Sequence, residues 1–371
     1  VPRQAVVVGA GQGGLSAAVH LRLLGFEVLV LDRQEGAGGK ARQIAQHGFR
    51  LDPGPSILIM TRLYERAFRA AGRRPEDYLR FHRLDPFTRV HFEGREPFDL
   101  PASEEGLRLL LKEVAPEDSA AFWNLMQQID RVAPIIDETV FRAPVEQVWQ
   151  LGHPKLAKFA RSLGFGKSFK SAVDARFGSP LLKAFFYGFP SYNGQTYTAN
   201  SPGSFLIPHS MVRDGVWWPE GGIGAIPAAY ERLAKELGCE FRFGTDIVSA
   251  ELADQRVKAV KSSTGEPFQA DVFVFNADRC TIGPLLGDPE PKTPSFSYFT
   301  VHWGVRGTSH KFGHHTLFVP SDYEQGFERL YRDRLFPERP IVYVNATHVA
   351  DPQSAPEGCM NLFAVVTSPA I

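Results

Sequence analysis

The chain opens on four consecutive apolar residues, Ala5 to Val8, without alternation. A continuous run of this kind predicts a strand buried on both faces, as in a parallel sheet. Glycines interrupt it at once. From Leu15 to Leu24 apolar or small residues recur along one face, which predicts a helix stopped by Gly25. A second strand, Glu27 to Leu31, ends in Asp32. From Glu117 the period becomes helical: Phe122, Leu125, Met126, Ile129, Val132, Ala133 and Ile136 form one stripe. Leu156, Phe159, Ala160 and Leu163 form a second, and Phe169, Val173 and Phe177 a third. A glycine-rich turn, Trp217-Trp-Pro-Glu-Gly221-Gly-Ile-Gly224, precedes a helix predicted over Ala225 to Leu237, with Gly238 as its stop. Short strands are predicted at Glu240 to Phe243, Ile247 to Leu252, Val257 to Lys261 and Val272 to Phe275, the last closing in Asn276-Ala277-Asp278.

Composition narrows the possibilities. At 371 residues two or three domains are expected. Lys+Arg and Asp+Glu are both 41, and a chain without basic excess is a poor candidate for nucleic acid. Cys239, Cys280 and Cys359 are scattered, with no CxxC and no histidine at ligand spacing, so neither a disulfide framework nor a metal site is expected. The adjacent His314 and His315 are poorly spaced to share one ion. No signal peptide is visible, and a reducing cytoplasm is the expected compartment. The longest stretch free of charge, Phe185 to Val212, is rich in Gly, Pro, Ser and Asn and does not read as a spanning helix. Phe outnumbers Tyr 29 to 10, a choice that suits an apolar cavity and an ordinary core equally well.

The first chemistry lies between strand and helix. Gly9-Ala-Gly11-Gln-Gly13-Gly14 is a GxGxxG: Gly9 allows the tight turn, Gly11 lets backbone approach a pyrophosphate, and Gly14 lets the helix pack on the strand. The helix start offers free N–H groups and a positive dipole end to phosphate. Asp32 stands where it can accept from ribose hydroxyls, with Arg33 beside it. The pattern serves NAD and FAD alike.

The following motifs decide between them. Gly38-Gly39-Lys40 and Asp52-Pro-Gly54-Pro55-Ser56 resemble the flavin amine-oxidase superfamily, in which the first turn lies against FAD and the second segment approaches the flavin ring. Lys40 replaces the commoner Arg, keeping charge but losing the bidentate fork. The stretch from Trp217 to Asp278 resembles the bacterial-type carotenoid desaturases, as do His314-His315-Thr316, Asp322-Tyr323, Asp351-Pro352 and Ala355-Pro356-Glu-Gly358. That resemblance implies that Val248 meets the adenine through its backbone and that Asn276, Ala277 and Asp278 mark a strand end near the cofactor. It implies an α/β fold in which a Rossmann-like FAD-binding domain, of the two-dinucleotide-binding-domain flavoprotein type, is interleaved with a β-sheet substrate domain and a helical insertion. The expected division is FAD-binding over 1–60 and 216–290, substrate domain over 61–116 and 291–371, and helical insertion over 117–215. The family closes with a further segment carrying Gly-Asp and Pro-Gly over the flavin. None precedes Ile371, which puts tight FAD binding by this chain alone in question.

The implied activity is FAD-dependent desaturation of an acyclic carotenoid, with hydride passing to the flavin. Carotenoid cis–trans isomerisation, amine oxidation and flavin-free binding of a prenyl or lipid group remain alternatives. Exposing about forty carbons to water, at about 0.8 kcal/mol per CH₂, costs tens of kcal/mol, so substrate is expected to pass directly from a membrane into an apolar tunnel. Phe185, Phe186, Phe205 and Ile207 are the expected wall. Lys155, Lys158, Arg161, Lys167, Lys170 and Arg176 face one acid, Asp174, and suggest peripheral docking on an anionic membrane. No Ser/His/Asp arrangement or carboxylate pair stands at recognisable spacing, so the acid–base group and the oligomeric state stay unassigned.

Overall fold

The computed structural model describes residues 2–141, 154–287 and 296–369. The opening run forms the strand Gln4–Val8, central in a parallel sheet ordered Val272–Phe275, Gln4–Val8, Glu27–Leu31, Glu240–Arg242. The helix Gln12–Leu23 crosses between the first two strands of the chain. On one face, Ala5, Val7, Val28 and Val30 share the main core with Leu15, Ala18 and Val19 of that helix and with Leu233 and Ala234 of the helix Ala225–Glu236. On the other, Val6 and Leu31 pack against Ile247, Val260 and Phe268 of a three-stranded antiparallel sheet. Both faces are covered, which is why the run is apolar at every position. Each fully buried Val or Leu contributes roughly 1.5–3 kcal/mol.

A six-stranded sheet forms the second layer, ordered Ser297–Arg306, Cys359–Ser368, Val342–Asn345, His315–Val319, Thr88–Phe92, Phe98–Leu100. All its pairings are antiparallel except that of His315–Val319 with Thr88–Phe92. Alternation divides each strand. Val342, Val344, Met360, Leu362 and Ala364 form an outer cluster. Tyr343, Val365, Leu317 and Val90 turn to the opposite face, towards the helices Glu104–Val114, Pro180–Tyr187, Leu206–Arg213 and Tyr323–Tyr331. The hairpin of Ile44–Gln46 and Phe49–Leu51 is tied to this second layer by an Arg50–Asp351 ion pair and by Asn361, whose Nδ2 donates to the Arg50 carbonyl at 3.0 Å.

Element positions depart from the sequence pattern in informative ways. The stripe from Phe122 to Ile136 is two helices, Ser119–Asp130 and Ala133–Ile136. Pro134 lacks an N–H and its ring would strike the Asp130 carbonyl, so one helix cannot continue through it. The first helix begins at Gln12 rather than Leu15, because Gly13 and Gly14 carry no apolar signal. The strand Pro267–Gln269 has too few residues to show a period. Lys170 and Arg176 are internal tethers rather than parts of a free basic face. Lys170 pairs with Asp174 at 2.7 Å, and Arg176 donates to the Ala172 carbonyl at 2.6 Å and lies over the Phe205 ring. Lys158, Arg161 and Lys167 are exposed, whereas the side chains of Lys155 and Leu156 lie outside the described residues. Among the described residues no helix is long and apolar enough to cross a membrane.

Glycine is required where backbone meets backbone. Gly9 has φ +106°, and a Cβ there would stand 2.5 Å from the Asn276 carbonyl oxygen; at Gly14 it would stand 1.9 Å from the Gly9 oxygen. Gly14→Ala is therefore expected to destabilise by about 3 kcal/mol or more, while Gly36→Ala, with open space around its Cβ, changes stability by less than about 0.5 kcal/mol. Paired denaturant titrations of the two variants check the contrast.

A candidate cofactor and substrate cavity

The carboxyl ends of the parallel strands open into a cavity of about 1610 Å³. This is where open α/β sheets place their ligands. The volume exceeds the roughly 300–1,000 Å³ of an ordinary small-molecule pocket and leaves room for two long ligands end to end. One end is built from backbone and polar groups: Gly9, Gly11 and Gln12; Asp32, Arg33 and Gln34; Gly39 and Lys40; Pro53 to Ile57; and Asn276 to Asp278.

Asp32 shapes this end. It is buried; its Oδ2 accepts from the Ala10 N–H at 2.6 Å and its Oδ1 from the Gln34 N–H at 2.8 Å. The glycine loop is braced from the other side, where the Gly38 N–H donates to the Ala10 carbonyl at 2.9 Å. At the start of the helix Gln12–Leu23 the residue before it, Gly11, supplies no side-chain cap, and the first turn holds no acid. The N–H groups and dipole end there are left to an anion.

The glycine motifs interlock. A Cβ on Gly54 would come 1.8 Å from the Lys40 carbonyl oxygen, and one on Gly39 3.0 Å from the Gly11 Cα. A Cβ on Gly222 would meet Asp52 Oδ2 at 2.7 Å. Asp52 is buried, and accepts from Gln43 Nε2 at 3.3 Å and from the Gly224 N–H at 3.2 Å. Burial pushes its carboxyl above the usual carboxylate range, against the pull of those two donors. Lys40 pairs with Asp278 at 3.4 Å on the exposed rim, where such a pair is worth little. The Cys280 N–H, with Lys40 second, holds the Asp278 carboxyl below its ordinary value.

Of the other expected cofactor residues, Pro55, Ser56, Asn276 and Ala277 line the cavity; Gly13 and Gly14 do not. Gly13 instead admits the Asn276 side chain, whose Oδ1 would be 2.4 Å from a Cβ. Val248 is exposed and outside the wall, while its neighbours Thr245, Asp246 and Ile247 line it.

The other end is apolar, walled by the inner face of the six-stranded sheet (Val90, Phe92, Leu317, Val365) and by helix residues such as Leu111, Leu182, Met211 and Phe327. Among the described residues, every charged side chain in the wall belongs to the polar end. Phe185 lines the apolar end, but Phe186, Phe205 and Ile207 do not. Consecutive helix residues are turned about 100° apart, so Phe186 points into the core beside Phe185. Its ring stacks on Phe177 at 4.9 Å and meets Phe205 at 5.7 Å, and Phe205 in turn lies 4.5 Å from Phe169. Ile207 packs on the same core while its helix shows the cavity Met211 and Val212. Sequence reasoning also missed Tyr343, Ser191 and Thr300 in the wall. Alternation in Val342–Asn345 is the signal that could have found Tyr343. Among the described residues no group of three or more His, Cys, Asp or Glu side chains is arranged to hold a metal ion.

A model of the family described as flavin containing amine oxidoreductase matches residues 13–304. The zeta-carotene-forming phytoene desaturase of Myxococcus xanthus is 30% identical over 383 residues, covering 99% of this chain and 72% of the relative. The 4,4'-diapolycopene oxygenase of a Methylomonas species is 29% identical over 368 residues, 96% of this chain and 74% of the relative. Reduced UDP-galactopyranose mutase superposes with a TM-score of 0.58 at 17% identity, over 100% of this chain and 76% of that one, a likeness of fold alone.

Asp32→Asn tests the nucleotide end. Both Asp32 oxygens receive backbone N–H groups, so the amide must turn its NH₂ towards one of these donors. FAD affinity is expected to fall at least about tenfold, or about 1.4 kcal/mol. A flavin-fluorescence titration reads it, and an unchanged Kd would show the carboxylate to be dispensable.

Proposed function

The chain belongs to the flavin containing amine oxidoreductase family, and on that premise we propose that it desaturates an acyclic carotenoid, phytoene or a later acyclic intermediate, within the cavity described above. It is an FAD-dependent oxidoreductase. FAD supplies the two-electron oxidising chemistry. The observation that carries the substrate reading is the continuity of a polar, glycine-built end with a long apolar end whose described residues include no charged side chain.

The residues present fit FAD. Gly9 and Gly11, with the uncapped helix start at Gln12, would hold the pyrophosphate; Asp32, keeping lone pairs beyond its two backbone donors, would meet the ribose. Gly39, Lys40 and the Gly54-Pro55-Ser56 segment would face the flavin side, with Asn276 to Asp278 closing the opposite wall. Gly13 and Gly14 would act indirectly, by letting Asn276 and the helix approach the loop. Thr245 to Ile247, preceding Val248, would border the adenine.

The apolar end would bury the polyene and exclude water. It would also disfavour amine oxidation, since among the described residues no carboxylate in that wall answers a substrate ammonium. Peripheral membrane docking is supported by the exposed Lys158, Arg161 and Lys167 around Phe165, which is 62% exposed.

Co-expression with enzymes that make colourless phytoene is expected to yield coloured products, and anaerobic incubation with the polyene to bleach the flavin stoichiometrically. An unchanged pigment profile across phytoene, neurosporene and hydroxylated acyclic substrates would refute desaturation; altered double-bond geometry without bleaching would mean isomerisation. Sedimentation with anionic liposomes should be salt-sensitive. Equal recovery in the supernatant with and without liposomes at low salt would remove the docking proposal.

A further inference from the structure

Where the polar end meets the apolar end, the wall carries a hydrogen-bonded chain that runs from Ser56 through Tyr343 to His315. Ser56 follows the segment whose Gly54 packs on Lys40. Tyr343 Oη donates to Ser56 Oγ at 2.9 Å and lies 2.7 Å from His315 Nδ1, so its single proton can serve either partner. The strands place them together: Tyr343 pairs with Leu317 and Asn345 with His315, which puts Tyr343 and His315 on one face of neighbouring antiparallel strands. Ser56 and Tyr343 line the cavity. His315 does not; it is 1% exposed, and its Nε2 is buried without a hydrogen-bond partner. The apolar wall otherwise offers a departing proton little. Among its described residues there is no carboxylate, imidazole or amine; the hydroxyls of Thr88, Ser191 and Tyr298 donate to backbone carbonyls, and Tyr192, Thr300, Tyr331 and Thr367 supply further neutral hydroxyls. Tyr343 is the wall hydroxyl with a titratable base directly behind it.

We propose that Tyr343 is the catalytic proton acceptor of the desaturation and that His315 is the positioning residue that takes its proton in relay. This rests on the desaturase reading. One substrate C–H bond breaks with its electron pair, which leaves as hydride to FAD, so the polyene is oxidised and the flavin reduced by two electrons. The adjacent C–H then breaks; its electron pair becomes the second bond of the new C=C, and its proton binds the Tyr343 oxygen. The original Tyr343 proton passes to His315 Nδ1, which ends as imidazolium. Both groups start neutral: burial pushes His315 down to about 3 and the Tyr343 phenol well above its ordinary value. A base this weak suffices, because a C–H beside a carbon that has lost hydride is far more acidic than imidazolium. The His314 ring lies 4.6 Å from that of His315, edge to face.

The test compares FAD-loaded wild type, Tyr343→Phe and His315→Gln, with phytoene supplied in liposomes. Tyr343→Phe is expected to keep the resting flavin spectrum and KM while kcat and the rate of anaerobic flavin bleaching fall about 100-fold. His315→Gln should likewise lower kcat with little change in KM. Nitrogen NMR of the resting protein provides a readout apart from turnover: Tyr343→Phe should move the His315 Nδ1 resonance, and an unmoved resonance overturns the contact on which the relay stands. Wild-type rates in Tyr343→Phe, with flavin bound, overturn the proposal. Should that variant fail to hold flavin, an unimpaired kcat in His315→Gln overturns it, because Tyr343 is then still in the wall. Failure of wild type itself to bleach with any acyclic polyene overturns the desaturase reading and the relay together; normal wild type beside unimpaired variants overturns the relay alone.

Discussion

Backbone must touch backbone at the nucleotide end, and the rest of the molecule is arranged around that requirement. Gly9 closes on Asn276, Gly14 on Gly9, and Gly54 on Lys40, each at a separation that no side chain would allow. Together with Gly39, which closes on Gly11, the contacts bring residues 9–14, 39–40 and 54 of the opening segment together with the remote Asn276. They leave N–H groups and a dipole end pointing into a cavity that would otherwise be an apolar slot. Asp32 holds the loop from within through Oδ2, which accepts from Ala10, while Oδ1 accepts from Gln34 in its own turn.

The second layer takes its function from alternation. A strand such as Val342–Asn345 gives Val342 and Val344 to an outer cluster and Tyr343 to the cavity. One sheet thereby builds a core on one side and a binding wall on the other. The helices opposite complete the enclosure, and the ties through Arg50, Asp351 and Asn361 fix the sheet relative to the glycine loops. A long apolar space continuous with the glycine-built polar end follows from these constraints.

What could be read from the sequence follows from where each signal resides. The glycine loop, its flanking strands and Asp32 are local, so their grouping at one strand–helix junction was legible. Phe186 and Phe205 show the limit. A phenylalanine is equally at home in a core or a tunnel, and only the helix face decides; theirs faces other rings. Val248 was named by resemblance, yet its side chain is exposed and its predecessor Ile247 borders the cavity. The six-stranded sheet was largely illegible because its pairings are remote. Thr88–Phe92 meets His315–Val319 in parallel, and nothing local in either announces the other. The meeting of Tyr343 with His315 is hidden for the same reason, although His314-His315-Thr316 is itself a legible motif.

The pairing of Gln4–Val8 with Val272–Phe275 also bears on how the molecule is made. The Gln4 N–H is held by Asp271, 267 positions later, and Asn276 follows directly. On the ribosome the glycine loop therefore waits, incomplete, until that late strand emerges. Such long-range closure slows folding and leaves the apolar slot open to chaperones or aggregation in the interval. A nascent chain stalled before residue 272 would lack the strand that closes the glycine loop.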